Sequence, residues 1–246
     1  MLIALMSDIH GNREAFSACL AHAAARPVDR YVFLGDYVGY GADPAWVLDQ
    51  VIDHVARGAI AVLGNHDEAV AKERVQMNEV ARASIEWTRT KLDEEQHRFL
   101  ESLPLEVEEA DRLYVHASAA APAAWHYITD AYEAWESLEA TVQRVTLCGH
   151  VHVPQVYHSG RSGKLDASTP AAGVPIALRE GGRWLAVLGA VGQPRDGVAA
   201  ACYAVLDDEA GTLTYLRVPY DIESAAAKIR AAGLPSILAT RLGQGY

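Results

Sequence analysis

The chain has 246 residues, 50% of them apolar and 22% charged, which is ample for a large buried core in one or two domains. Its 32 acidic residues outnumber 21 Lys and Arg, leaving a net charge of −11 that argues against a stable nucleic-acid-binding surface, since phosphate backbones need clustered cations. No apolar stretch approaches the roughly 18 residues of a membrane span, and Cys19, Cys148 and Cys202 form neither a CxxC pair nor an even disulfide framework, so the expected location is the reducing cytoplasm.

The first residues, Leu2 to Ser7, are a continuous apolar run without a basic segment or cleavage site, and read as a buried strand instead of a signal peptide. Asn12 to Ala25 has helical spacing and stops before Pro27. Tyr31 to Leu34 is a second strand, Pro44 opens a helix to about Arg57, and Ala59 to Leu63 is a third strand. This βαβαβ rhythm predicts a parallel sheet with functional loops at the carboxyl ends of its strands.

Glu68 to Leu103 reads as mainly helical, and Leu105–Glu109 with Arg112–His116 as a hairpin around Ala110-Asp111. Residues 117–129 read as a loop, Asp130 to Gln143 as a helix, and Val145 to Cys148 as a buried strand. From Val153 to Pro219 short strands alternate with turn signals such as Ser159-Gly160 and Gly181-Gly182, which predicts a second, mostly antiparallel sheet. Ile222 to Leu242 closes the chain with helix, interrupted at Gly233-Leu234-Pro235. Without internal repeat or linker, residues 1–246 read as one α/β domain of two packed sheets flanked by helices.

Five short motifs stand out against this background: Asp8-Ile9-His10, Gly35-Asp36, Gly64-Asn65-His66-Asp67, His116, and Gly149-His150-Val151-His152. Each follows a strand-like run, the arrangement by which rigid strands hold ligands on loops at one sheet edge. The donors are oxygen and imidazole with no thiolate, which suits a borderline transition metal; manganese is favoured, with iron, zinc, nickel and cobalt open. Alone, Asp8 or Asp36 reads equally well as a cap at a strand–loop junction, and His150 with His152, alternating on a strand-like segment, as a surface pair. Together the donors outnumber what one ion needs.

The motif set, in this order over residues 8–152, resembles the calcineurin-like metallophosphoesterase superfamily, and Val191-Gly192-Gln193-Pro194-Arg195-Asp196 resembles a bacterial phosphodiesterase- and phosphatase-like branch of it. The resemblance implies a four-layer αββα fold and a metal-dependent phosphoric ester hydrolase with a binuclear centre. By position, Asp8, His10 and His152 would hold one ion, and Asn65, His116 and His150 the other. Asp36 would bridge them, and His66 would sit beside the substrate phosphate as the catalytic acid. Two cations about 3.5–4 Å apart can clamp a phosphate and acidify a shared water, whose hydroxide would attack phosphorus in line. The expected partner is a small phosphodiester or phosphomonoester.

Departures from the family pattern narrow the subclass. Protein serine/threonine phosphatases of the superfamily carry Gly-Asp-x-x-Asp-Arg-Gly, and here Gly39 and Tyr40 replace the acid and the arginine. That weakens the protein phosphatase alternative, and the dinucleoside polyphosphate hydrolase alternative with it. A non-catalytic scaffold or ligand sensor is the alternative from another class. His116-Ala117-Ser118 stands where the family has His-Gly-Ser, and alanine does not tolerate the positive φ that glycine does. Arg13 and Arg195 are candidates for gripping the substrate phosphate, each equally readable as a surface arginine. Asp67 reads as orienting His66 or as capping the next helix. Trp125, Tyr127, Tyr132 and Trp135 read first as packing against the core, and otherwise as a lid over residues 117–135.

Overall fold

The computed structural model describes residues 1–72, 77–160 and 163–246. In chain order the strands are β1 (Leu2–Met6), β2 (Arg30–Phe33), β3 (Ile60–Ala61), β4 (Glu106–Glu109), β5 (Arg112–Val115), β6 (Val145–Cys148), β7 (Gln155–Ser159), β8 (Leu165–Ser168), β9 (Ile176–Ala177), β10 (Arg183–Val187), β11 (Ala201–Asp207) and β12 (Thr212–Val218). The helices are α1 (Arg13–Ala24), α2 (Pro44–Ala56), α3 (Asn65–Ala71), α4 (Glu79–Arg89), α5 (Glu94–Ser102), α6 (Ala131–Glu139), α7 (Ile222–Ala231) and α8 (Ser236–Gln244), with a 3-10 turn at Pro122–Ala124. The predicted helical stretch 68–103 is thus three helices; residues 73–76 of it lie outside the described part.

The strands form two mixed six-stranded sheets, ordered β3-β2-β1-β11-β12-β9 and β4-β5-β6-β10-β7-β8. β1, β2 and β3 run parallel as predicted, with Met6 opposite Phe33 and Phe33 opposite Ala61. The expectation that residues 153–219 form a sheet of their own is wrong. β11 pairs antiparallel with β1, setting Leu5 against Ala204, and carries β12 and β9 into the first sheet. β10 instead runs parallel to β6 and joins β7 and β8 to the second. Turn signals mark where strands end and carry no information on which distant strand becomes the neighbour.

Alternation along β1 explains the layering. Ile3 and Leu5 point into the space between the sheets, with Tyr114, Val145, Leu147, Ala186 and Tyr215. Ala4 and Met6 point the other way, under Phe16, Val47, Leu48 and Val51 of α1 and α2. A strand covered on both faces needs side chains that are apolar at every position, hence the unbroken run. On the far side α6 lays Ala134 and Leu138 on Leu113, Cys148, Leu185 and Val187. The order helix, sheet, sheet, helix is the four-layer αββα arrangement. Burying a Leu, Ile or Phe contributes about 1.5–3 kcal/mol each.

Local signals set the helix ends. The Asn12 side chain accepts the Ala15 N–H at 3.1 Å, and Pro44 sits in the first turn of α2, where its missing N–H costs no hydrogen bond. Helical spacing alone would put His22 and His54 toward solvent, but both pack on the sheet: His22 Nδ1 lies 2.9 Å from the Tyr203 hydroxyl, and the His54 ring 4.6 Å from that of Tyr31. No helix among the described residues is long and apolar enough to cross a membrane.

Candidate metal centre

The carboxyl ends of β1, β2 and β3 meet those of β5 and β6 at one edge of the sandwich, and the five motifs leave from those ends. Backbone bonds knit the loops together. Asp8 N–H donates to Gly35 O at 3.1 Å, His10 N–H to Asp36 O at 2.9 Å, and Gly149 N–H to His116 O at 2.9 Å. Side chains cross the loops as well. The Asp8 carboxylate accepts the His150 N–H at 3.1 Å, and Asp36 Oδ1 the His66 N–H at 2.8 Å.

Two groups of candidate ligands result, Asp8, His10, Asp36 and His152 in one and Asp36, His116 and His150 in the other, with the donor atoms of each group within 4.8 Å of one another. Asp36 belongs to both. Asn65 joins the second group, its Oδ1 lying 3.3 Å from His116 Nε2. All these residues except Asn65 are buried.

The imidazoles are held from behind. His10 Nδ1 lies 3.0 Å from Val38 O, His152 Nδ1 2.6 Å from Gln193 O, and His116 Nδ1 2.6 Å from Leu34 O. A carbonyl can only accept, so each of these ring nitrogens carries a proton and each Nε2 is the atom free to offer a lone pair to a cation. In His150 the relation is reversed: Nε2 donates to Trp125 O at 2.9 Å, leaving Nδ1 unprotonated. The Nε2 atoms of His10 and His152 consequently face each other at 3.1 Å, and His116 Nε2 faces Asp36 Oδ2 at 3.5 Å. Lone pairs converging on carboxylates repel unless a cation lies among them, so the residues fit a metal.

Backbone strain gathers at the same place. Eight described non-glycine residues have positive φ; Asp8, His10, Asp36, His150 and His152 are five of them, and Tyr40 and Trp125 adjoin the cluster. The left-handed region costs an ordinary residue about 1–2 kcal/mol, and such strain persists where a site over-determines it. His150 and His152 therefore do not alternate on a strand; two left-handed turns aim both inward. Ala117, by contrast, does not adopt positive φ, so the alanine after His116 fits without distortion.

Electrostatics follows from burial and neighbours. Burial opposes ionisation of Asp36, yet His116, His66 and His10 outweigh it and hold its carboxyl well below the usual range. Asp8 is likewise lowered against burial by His152. Burial lowers His116 too, but Asp36 overrides it and raises the imidazole to about 9, so that in the absence of a metal a proton on Nε2 is the cation facing Asp36. Burial dominates for His66, lowered to about 4, and for His150, lowered to about 3.

Asp67 makes no carboxylate hydrogen bond to His66 Nδ1. Its carboxylate accepts N–H groups from Asp36 (2.7 Å), Tyr37 (2.9 Å) and Gly64 (3.0 Å), so it caps α3 and braces the Asp36 loop together. Gly64 has to be glycine, because a Cβ there would land on the Asp36 backbone nitrogen and Oδ1. Gly39 packs against His66 Nδ1, which among the described residues has no hydrogen-bond partner, so none of their carboxylates orients it there.

Residues 1–211 match the family model of the calcineurin-like phosphoesterase superfamily domain. The chain belongs to that superfamily. This calcineurin-like phosphoesterase is 34% identical over 250 residues to an uncharacterized protein of Methanocaldococcus jannaschii, covering 99% of this chain and 98% of the other. It superposes on the crystal structure of a metallophosphoesterase from Sphaerobacter thermophilus with a TM-score of 0.90 and 37% identity, covering 100% and 99% of the two chains. A hypothetical protein from Pyrococcus horikoshii OT3 shares the fold, at a TM-score of 0.80 and 18% identity over 100% and 98%. The phosphoesterase is thus a metal-dependent phosphoric ester hydrolase with clustered Asp and His candidate ligands.

The remaining candidates fall differently. Arg13 is exposed at the start of α1, its guanidinium 4.9 Å from the Trp46 ring centre. Arg195 reaches the cluster, 5.7 Å from the Tyr40 ring, which lies 4.5 Å from His10 and 4.4 Å from His66. The aromatic segment is not core: Tyr127, Tyr132 and Trp135 are each about half exposed or more. Trp125 braces the site through its carbonyl, and its indole N–H donates to Glu68 at 2.7 Å. Tyr127 stacks on His150 with centroids 4.1 Å apart. The carbonyls of Leu34, Val38, Trp125 and Gln193 had no sequence signal, because every residue carries one.

Proposed function

We propose that the enzyme holds two transition metal ions, manganese foremost, and hydrolyses small phosphate esters, mono- or diesters. The observation that carries this reading is the pair of ligand groups sharing Asp36, with the imidazole Nε2 atoms and the carboxylates converging on the same two points. When bound, the ions would supply positive charge to the phosphoryl oxygens and acidify water. Asp8, His10 and His152 would hold one and Asn65, His116 and His150 the other, with Asp36 between.

His66 acts on the substrate in this reading. Its ring lies 4.8 Å from that of His10 and its backbone is tied to Asp36, which keeps it beside the cluster. Burial holds its ring neutral near pH 7, so it would give a hydrogen bond to the leaving oxygen, and a proton once the anionic phosphate beside it favours the imidazolium, an effect worth about 10²–10⁴-fold. Tyr40 takes the place of the phosphate-gripping arginine of protein phosphatases, and the guanidinium over its ring comes from Arg195. The absence of the acid and arginine at Gly39 and Tyr40 weakens the protein phosphatase alternative.

The test is hydrolysis of p-nitrophenyl phosphate and bis-p-nitrophenyl phosphate by chelator-treated and manganese-reloaded protein. Turnover that appears only on reloading supports the reading. No metal-dependent turnover of either ester, or of a nucleotide panel, would favour a binding scaffold instead.

A further inference from the structure

The C-terminal helices reach the rim of the candidate metal centre. A small cavity beside His10 and Tyr40 is closed by Gln193, by Ile229 of α7 and by Leu242 of α8. Next to Leu242, Arg241 sends Nη1 to Gln193 Oε1 at 3.4 Å, and Arg195 sends Nη2 to the same oxygen at 2.9 Å. Gln193 is 1% exposed, and its main-chain oxygen is the one that orients His152. The backbone N–H of Arg195 in turn donates to His152 O at 3.2 Å. One buried glutamine therefore joins two guanidiniums to a candidate ligand.

Two like charges sharing one neutral oxygen repel, and among the described residues neither forms an ion pair. Other arginines of this acidic chain do: Arg30 with Glu109, Arg112 with Asp208, Arg144 with Asp111. The acid adjacent in sequence to Arg195, Asp196, is engaged by Arg217. The Nε atoms of Arg195 and Arg241 are buried without an acceptor among the described residues. Arg195 also lies within hydrogen-bond reach of the Tyr40 hydroxyl, and the remaining N–H groups of two guanidiniums without a counter-ion match the donor pattern that phosphate oxygens accept.

We propose that Arg195 and Arg241, joined through Gln193, bind a second phosphate group, so that the substrate is a small molecule carrying a phosphate on the leaving side of the bond that is cut. The side follows from Tyr40, whose ring has Arg195 near it at 5.7 Å and His66 at 4.4 Å. The pair stands one aromatic ring from the histidine that serves the leaving oxygen. This rests on the role given to His66 above.

The test uses the full chain and inorganic phosphate. Calorimetry on chelator-treated protein measures binding to the arginines without competition from metal. Gln193→Glu is the decisive variant: it keeps the side chain's size and places a carboxylate between the guanidiniums. Phosphate affinity should fall at least tenfold in Gln193→Glu and in the double variant Arg195→Gln/Arg241→Gln, and stay unchanged in Lys91→Gln, which removes a cation stacked on Trp87. A purely structural pair predicts a higher melting temperature for Gln193→Glu with phosphate binding unaltered, and that result overturns the proposal, as does no binding to the wild type at millimolar phosphate. With manganese, Gln193→Glu should also lower kcat/KM for a nucleoside diphosphate relative to p-nitrophenyl phosphate. Turnover of p-nitrophenyl phosphate alongside unaltered phosphate binding sinks the subsite and leaves the hydrolase; phosphate binding lost in Gln193→Glu without turnover of any ester supports the subsite and sinks the small-ester reading.

Discussion

The Asp67 carboxylate accepts the backbone N–H of Asp36 at 2.7 Å, so the acid that follows the candidate catalytic histidine holds in place the acid common to both ligand groups. The same oxygen accepts from Gly64, and its partner oxygen from Tyr37. Asp67→Ala leaves these buried N–H groups without acceptors. It should cost about 3–5 kcal/mol, read by urea unfolding, and weaken metal retention. Asp67→Asn keeps an acceptor and should cost less. A loss below about 1 kcal/mol in the alanine variant would mean that the loop holds itself.

Metal content tests the shared role of Asp36. The wild-type chain should retain two ions per chain at saturating manganese, and Asp36→Asn should lose at least one. Elemental analysis after gel filtration reads this directly. A wild-type ratio of one would remove Asn65 and His116 from the ligand set.

Chelation should lower stability as well as activity. An ion that binds only the folded chain stabilises it by about 2.7 kcal/mol when present at 100 times its Kd. Its removal leaves the lone pairs of His10 and His152 opposed at 3.1 Å. The melting temperature should drop on chelator treatment and recover with manganese; an unchanged temperature would argue that the cluster holds no ion.

His66→Ala should keep the metals and lose turnover by about 10²–10⁴-fold on alkyl esters, and by less on p-nitrophenyl esters, whose leaving group needs little protonation. Loss of metal in this variant would make His66 a ligand. Gly39→Ala offers a gentler version. Gly39 sits at φ 81° against His66 Nδ1, so the methyl group should cost about 1–2 kcal/mol and displace the ring. kcat should fall with metal content intact; wild-type kcat would show that the position of the ring is immaterial.

Tyr127 tests the aromatic rim. It is half exposed and stacked on His150. Tyr127→Ala should change stability by less than about 0.5 kcal/mol. If Tyr127 also stacks on a base, worth about 1–3 kcal/mol, KM for nucleotides should rise about tenfold or more. Equal activity of Tyr127→Ala and Trp125→Ala on every nucleotide would leave both as structural.

What the sequence determined by itself is local. An apolar run marks β1, Pro44 marks the start of α2, and the ligand-type residues lie directly after strands, so their bonding chemistry and order could be read without coordinates. Tertiary structure decided whatever depends on partners far apart in the chain. Leu5 pairs with Ala204, which moved the C-terminal strands into the first sheet. Backbone oxygens of Leu34, Val38, Trp125 and Gln193 set the tautomers of four histidines. Left-handed backbone at His150 and His152 turned a supposed strand into two inward-facing donors. Arg241, outside every motif, meets Arg195 only through Gln193. The physical reason is common to these cases: a side chain's bonding capacity is a property of its type and is written in the sequence, whereas the group that meets it is selected by the packing of the whole chain.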